Sequence, residues 1–95
     1  MLHTLFHSPA QCDFALLLRT LSADDHLLLL QDGVLAAMAG SRYWAALENA
    51  GIPVSVLDVD VAARGLSAQI SNSVSQVSYN DFVMLTERHS QQMSW

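Results

Sequence analysis

The run from residue 26 to residue 31, His-Leu-Leu-Leu-Leu-Gln, constrains this chain most. It is a short, continuous apolar stretch between turn signals, Ala23-Asp24-Asp25 before it and Asp32-Gly33 after it. A strand with one wet face alternates apolar and polar residues. An unbroken run of this length reads instead as a strand covered on both faces, as in a parallel sheet. Helices must then lie on either side of it, and the surrounding sequence supplies them.

Residues 2–6 read as a first strand. Ser8-Pro9 opens a helix, with Ser8 as N-cap, Pro9 at the first helical position and Gln11 where a capping box wants Glu or Gln. Ala10, Phe14, Leu17, Leu18 and Leu21 follow at helical spacing and predict one apolar face. After the central strand, residues 34–39 are alanine-rich and helical, stopped by Gly40. Ser41 caps a second piece over 42–50, and Gly51 ends it. Residues 52–57 form a third strand, with Pro53 at its start where no ladder bond is lost. A short helix over 59–64 ends at Gly65, and 73–78 weakly predicts a fourth strand. Ser78 with Asp81 caps a last helix whose expected face is Tyr79, Phe82, Val83 and Thr86. Met93 and Trp95 alternate as in a final strand. Strand and helix alternate throughout, which predicts a single layered α/β domain over residues 1–95 with a mostly parallel sheet of four to five strands. Ligands and partners of such sheets meet the carboxyl ends of the strands, here His7-Ser8, Asp32-Gly33 and Asp58-Val59-Asp60.

Of the 95 residues, 52% are hydrophobic and only 14% charged. A small domain buries a modest fraction of its surface, so part of this apolar content is expected to face another subunit. The net charge is −5, lysine is absent, and Arg19, Arg42, Arg64 and Arg88 are spread along the chain. Nucleic-acid affinity comes from neutralised phosphates, so direct tRNA binding by this chain is not expected. Schiff-base chemistry and a P-loop lysine are excluded with the missing lysine. No basic leader precedes an apolar core, and the longest aliphatic run is far below the roughly 20 residues of a membrane helix. One unpaired cysteine suits a reducing cytoplasm.

That cysteine, Cys12, is the only thiol. Helical geometry puts it opposite the apolar face, near Leu16 and Arg19, so it reads as a surface or interface residue. A helix start modestly favours a thiolate, but no cation lies within a few residues and Asp13 works against it. His3 and His7 on a strand lie about 13 Å apart, too far to share an ion, and His26 and His89 form no helical ligand pair, so no metal or cofactor is expected. His89 suits the negative end of a last helical turn. Asp58 and Asp60 follow a strand, but a helix start also favours Asp, and no glycine-rich loop accompanies them. Ser8 beside His7 lacks the orienting acid of a triad and is explained as a cap. Tyr43, Trp44, Tyr79 and Trp95 read as packing or interface aromatics, since no basic groove accompanies them. No residue is assigned a catalytic role.

Leu2-His3-Thr4-Leu5, Ser8-Pro9 and Leu28-Leu29-Leu30-Gln31-Asp32-Gly33-Val34 together resemble the opening of the TusB/DsrH sulfur-relay family. The resemblance continues through Asp60, Ala63-Arg64-Gly65-Leu66, Gln69-Ile70-Ser71, Asp81-Phe82-Val83, Leu85-Thr86 and Gln92-Met93-Ser94-Trp95. It implies a three-layer α/β/α fold of the DsrE/F/H type. It also implies a cytoplasmic heterohexamer with TusC-like and TusD-like subunits, which takes persulfide sulfur from an upstream carrier and passes it downstream toward 2-thiolation of the wobble uridine in tRNA. In such assemblies the sulfur-carrying cysteine belongs to the TusD-type subunit. DsrH-type relatives carry a first-helix cysteine nearer Leu18, so Cys12 does not match it. The expected role is a non-catalytic subunit. The alternative is a sulfur carrier in its own right with a persulfide on Cys12. A third reading, a monomeric nucleotide-binding module using Asp58 and Asp60, predicts a nucleotide-induced thermal shift.

Overall fold

The computed structural model describes residues 1–95. Strand β1 (Leu2–Leu5) leads through a 3-10 turn, Pro9–Gln11, into helix α1 (Phe14–Thr20). Strand β2 (His26–Leu29) leads through a 3-10 segment, Gln31–Ala37, into α2 (Arg42–Ala50). Then follow β3 (Val54–Leu57), α3 (Asp58–Ala63), β4 (Ser75–Val77), α4 (Tyr79–Arg88) and β5 (Gln92–Ser94). The five strands form one sheet in the order β4-β3-β2-β1-β5, and every neighbouring pair is parallel.

Strand alternation divides the apolar residues between two faces. On one face Leu5, Leu27, Leu29 and Val56 pack with Leu17 of α1, Trp44 and Leu47 of α2, and Val61 of α3. On the other, Leu2, Leu28, Leu30 and Leu57 pack with Leu85 of α4. The fold is therefore three-layered, with a thick side of three helices and a thin side of one. Leu27, Leu28 and Leu29 are all fully buried, as a strand roofed on both sides requires.

Local signals set most boundaries. The Ser41 hydroxyl accepts from the Trp44 amide, and Gly51 ends α2 at φ 71°, a left-handed conformation that glycine adopts without strain. Ser78 and Asp81 form a reciprocal capping box at the start of α4.

Three expectations are corrected. The first helix is not continuous from Ser8. The Ser8 hydroxyl caps only the 3-10 turn, Cys12 is extended (φ −123°, ψ 169°), and Asp13 caps α1 through a 3.0 Å bond from the Leu16 amide. Two capping side chains compete within six residues, and the second wins the α-helix. Residues 34–39 are not an α-helix either. The segment is drawn into a 3-10 coil because Gly33 sits against β1, where an added Cβ would stand 2.0 Å from the Leu5 carbonyl oxygen. Finally, α4 turns Phe82 and Leu85 inward rather than Tyr79 and Val83, because that stripe meets the leucines of β1, β2 and β3.

Candidate functional site at the carboxyl edge of the sheet

The crossovers from β1 to β4 march in one direction with their helices on the thick side. Helix α4 then recrosses the thin side and delivers β5 to the far flank of β1. The direction of winding reverses between β1 and β5, so their carboxyl ends bracket a topological switch point, the usual ligand crevice of an open parallel sheet.

The residues at that point are His7, Ser8, Cys12 and Trp95. The Phe6 amide donates to the Trp95 carbonyl at 3.2 Å, and His7 Nδ1–H donates to the same oxygen at 3.1 Å. Cys12, expected on the surface of a helix, is half-buried and packs against the thick-side core. Its Sγ points to the Pro9 carbonyl at 3.7 Å. Burial, and after it the Asp13 carboxylate, pushes the thiol pKa up. Because Asp13 rather than Ser8 starts α1, Cys12 lies outside the helix, and the Asp13 carboxylate rather than the thiol meets its positive end. The thiol is protonated at neutral pH, and the protonated form is a poor nucleophile.

Next to this point lie the acids that follow β2 and β3. The Gln31 amide, at φ 52°, donates to Asp60 Oδ2 at 2.7 Å. Arg64 binds Asp32 Oδ1 through Nε at 3.0 Å and the Asp60 carbonyl through a terminal nitrogen at 3.2 Å. Asp32 and Asp60 thus tie the loop after β2 to α3. Asp58 Oδ1 is buried without a hydrogen-bond partner. No three His, Cys, Asp or Glu side chains stand close enough to hold a metal ion.

Sequence reasoning missed a network that reaches inward from Trp95. Its indole Nε1–H donates to His3 Nδ1 at 3.1 Å, and His3 Nε2 pairs with Asp25 Oδ2 at 2.9 Å. Indole only donates, so the His3 proton sits on Nε2 and is given to Asp25. Burial alone would raise the Asp25 carboxyl. The Ser22 amide, His3 and the Met1 amino group donate to it, outweigh burial, and hold its pKa down at about 2. A histidine inside an apolar strand implies a buried partner, and that was the available signal. Of the other histidines, His7 lies past the end of β1, while His26 and His89 meet at the opposite edge with ring centroids 6.3 Å apart.

Apolar residues also remain on the outside. Tyr79 (62% exposed), Val83 and Met84 (51%) face outward along α4, and Val59 (56%) does so at the start of α3. Tyr43 packs edge-on against Phe14 and Tyr79 edge-on against Phe82, but Tyr79 stays exposed, whereas Trp44 is buried on the thick side.

A family model described as "DsrH like protein" matches residues 7–92. Protein TusB of Shigella sonnei (strain Ss046) is 58% identical over the full length of both chains, as is Protein TusB of Escherichia coli O139:H28. Among solved structures, the ychN protein from E. coli superposes with a TM-score of 0.74 at 16% identity, covering 99% of this chain and 97% of that one, a likeness of fold. Protein Tm0979 from Thermotoga maritima superposes with a TM-score of 0.66 at 25% identity, covering 96% and 97%. With a family model spanning nearly all of it and full-length relatives at this identity, the chain belongs to the TusB/DsrH family.

Proposed function

We propose that this chain is a non-catalytic subunit of a sulfur-relay complex. The complex passes persulfide sulfur toward 2-thiolation of the wobble uridine (5-methylaminomethyl-2-thiouridine) in tRNA. In this reading the chain works in the cytoplasm, assembled with TusC-like and TusD-like subunits in a heterohexamer. Upstream and downstream sulfur carriers dock on the complex, and tRNA does not bind this chain.

The observation that carries the reading is the state of Cys12. Its thiol is half-buried, directed at a backbone carbonyl and raised in pKa by burial and by Asp13. Accepting sulfane sulfur requires a thiolate with room to attack, and neither is provided. What the chain does offer is exposed apolar surface at Tyr79, Val83, Met84 and Val59. Apolar area is worth roughly 25 cal/mol per Å² when buried, before association costs.

One observation favours the second reading, a persulfide on Cys12: the residue stands beside the switch point of the sheet. The two readings separate in one experiment. The complex carrying Cys12→Ser is assembled, exposed to a sulfur donor and analysed by intact mass, and thiolated tRNA is quantified in cells that express it. The expected result is unchanged thiolation and no sulfur adduct on this chain in the native complex. A one-sulfur mass gain on native Cys12, together with lost thiolation in Cys12→Ser, overturns the proposal.

A further inference from the structure

The amino edge of the sheet holds a second feature, remote from Cys12. Two open clefts of about 480 and 240 Å³ meet there, and both are lined by His26, Ser55 and Ser75. The smaller runs beneath α4, past Met84 and Arg88. The larger turns around Pro53 toward Trp44, Leu47 and Ile52.

The gap follows from the thin side of the fold. Helix α4 is the single roof there, and it seats Phe82 and Leu85 over the leucines. Toward β4 the positions facing α4 are Ser55 and its register partner Ser75, side chains too short to fill the space a Leu or Val would occupy. Ser55 is nevertheless buried, and its hydroxyl pairs with His26 Nε2 at 2.9 Å. The imidazole is only half-buried, so the buried Ser55 hydroxyl is satisfied by a ring whose other edge faces the clefts. Arg88 lines the same cleft and enters none of the ion pairs of the structure. Arg19 and Arg42 are likewise outside the ion pairs, and Arg88 is the one of these three that lines a cleft.

We infer that the joined clefts bind a ligand with an oxyanion head and an apolar body. Arg88, His26 and the hydroxyls of Ser55 and Ser75 receive the head, and the body lies along Ile52, Pro53 and Val54 against the exposed rim of Trp44. Glu48 lines the larger cleft and repels a second negative charge, and Asp81 lines the smaller one two turns of α4 before Arg88, so the ligand is charged at one end and its head sits at the Arg88 end.

Charged and titratable groups around His26 are Arg88 and His89 at the end of α4, Asp81 on α4 and Glu48 on α2. Burial, then His89, then Arg88 lower the His26 pKa, leaving the ring neutral at neutral pH. An anion placed between Arg88 and His26 favours the charged ring, so binding takes up a proton and tightens as pH falls.

The test titrates the full chain with inorganic phosphate, phenyl phosphate and benzoate while following the His26 and Trp44 side-chain NMR signals. Phenyl phosphate and benzoate separate phosphate-bearing from carboxylate-bearing ligands. At least one aromatic anion is expected to shift both residues and to bind about tenfold tighter than inorganic phosphate. For benzoate, whose own charge is constant over this range, affinity is expected to be higher at pH 6 than at pH 8. Arg88→Gln is expected to weaken binding about tenfold while leaving the melting temperature unchanged. The inference is overturned if neither aromatic anion moves His26 by about 10 mM, or if Arg88→Gln and the groove-filling Ser75→Leu both bind with wild-type affinity.

Discussion

The two faces of the sheet use the same strands but are roofed very differently. Three helices and a 3-10 segment cover one side, with thirteen buried residues in a continuous cluster. One helix covers the other, where the cluster is five. The strands contribute leucine and valine to both sides, so the difference lies in the cover. The thick side satisfies itself. The thin side closes over its leucines with Phe82 and Leu85, leaves Ser55 and Ser75 under open clefts, and turns Tyr79, Val83 and Met84 outward. The larger core lies on the thick side, while exposed apolar residues occur on both, Tyr79, Val83 and Met84 on α4 and Leu16 and Val59 on α1 and α3.

This contrast can be broken by mutation. The largest effect is expected at Gly33, beneath the thick side, where an alanine Cβ would meet the Leu5 carbonyl at 2.0 Å. The backbone cannot swing away as a side chain can, so Gly33→Ala should cost about 5 kcal/mol in chemical denaturation, more than overpacking against a flexible side chain costs. Wild-type stability in that variant would show that the 3-10 segment is freely movable. Next come two equivalent truncations. Leu29→Ala on the thick side should cost about 4 kcal/mol, and Leu85→Ala on the thin side about 2 kcal/mol, because a lone helix can settle into the cavity. Equal losses would erase the asymmetry.

Smaller effects sharpen it. The folded Asp25 carboxyl has a pKa of about 2, below the ordinary 3.8. A depressed carboxyl stabilises the fold above its unfolded pKa, and the gain is lost as pH falls from about 4 toward 2. Asp25→Asn should therefore remove on the order of 1–2 kcal/mol at pH 7 and flatten the stability profile over that acid range. An unchanged profile would mean that the links to His3, Ser22 and Met1 are not held in solution. Smallest is Ser78→Ala, which removes the cap that starts α4 and should cost about 1 kcal/mol. Hydrogen exchange should then speed up in α4 while α1 and α2 stay protected, since only the thin side is touched.

Much of this fold is written in local patterns. The leucine run of β2, the Ser41–Gly51 bracket of α2 and the Ser78–Asp81 box each need only neighbouring residues to be read. Other features depend on distant partners. Ser8 and Asp13 both make good caps, and the packing of Pro9 and Leu17 into the core decides between them. The expected face of α4, Tyr79, Phe82, Val83 and Thr86, gives way to Phe82 and Leu85 because the leucines of the sheet select them. The Trp95–His3 bond joins residues 92 positions apart, beyond the reach of periodicity. The site was legible only in outline. The carboxyl strand ends were predicted to matter, but the placing of Cys12 outside the helix and the pairing of His26 with Ser55 depend on tertiary packing.

The rims of the sheet are its two shortest strands, Ser75–Val77 and Gln92–Ser94, three residues each and largely polar. The leucine-rich β1 and β2 are never at the border, because β5 returns to flank β1 on its open side. A ladder this brief gives a foreign strand few hydrogen bonds to template on. A chain that is half apolar can therefore keep its grease for chosen neighbours without inviting fibrous stacking along its margins.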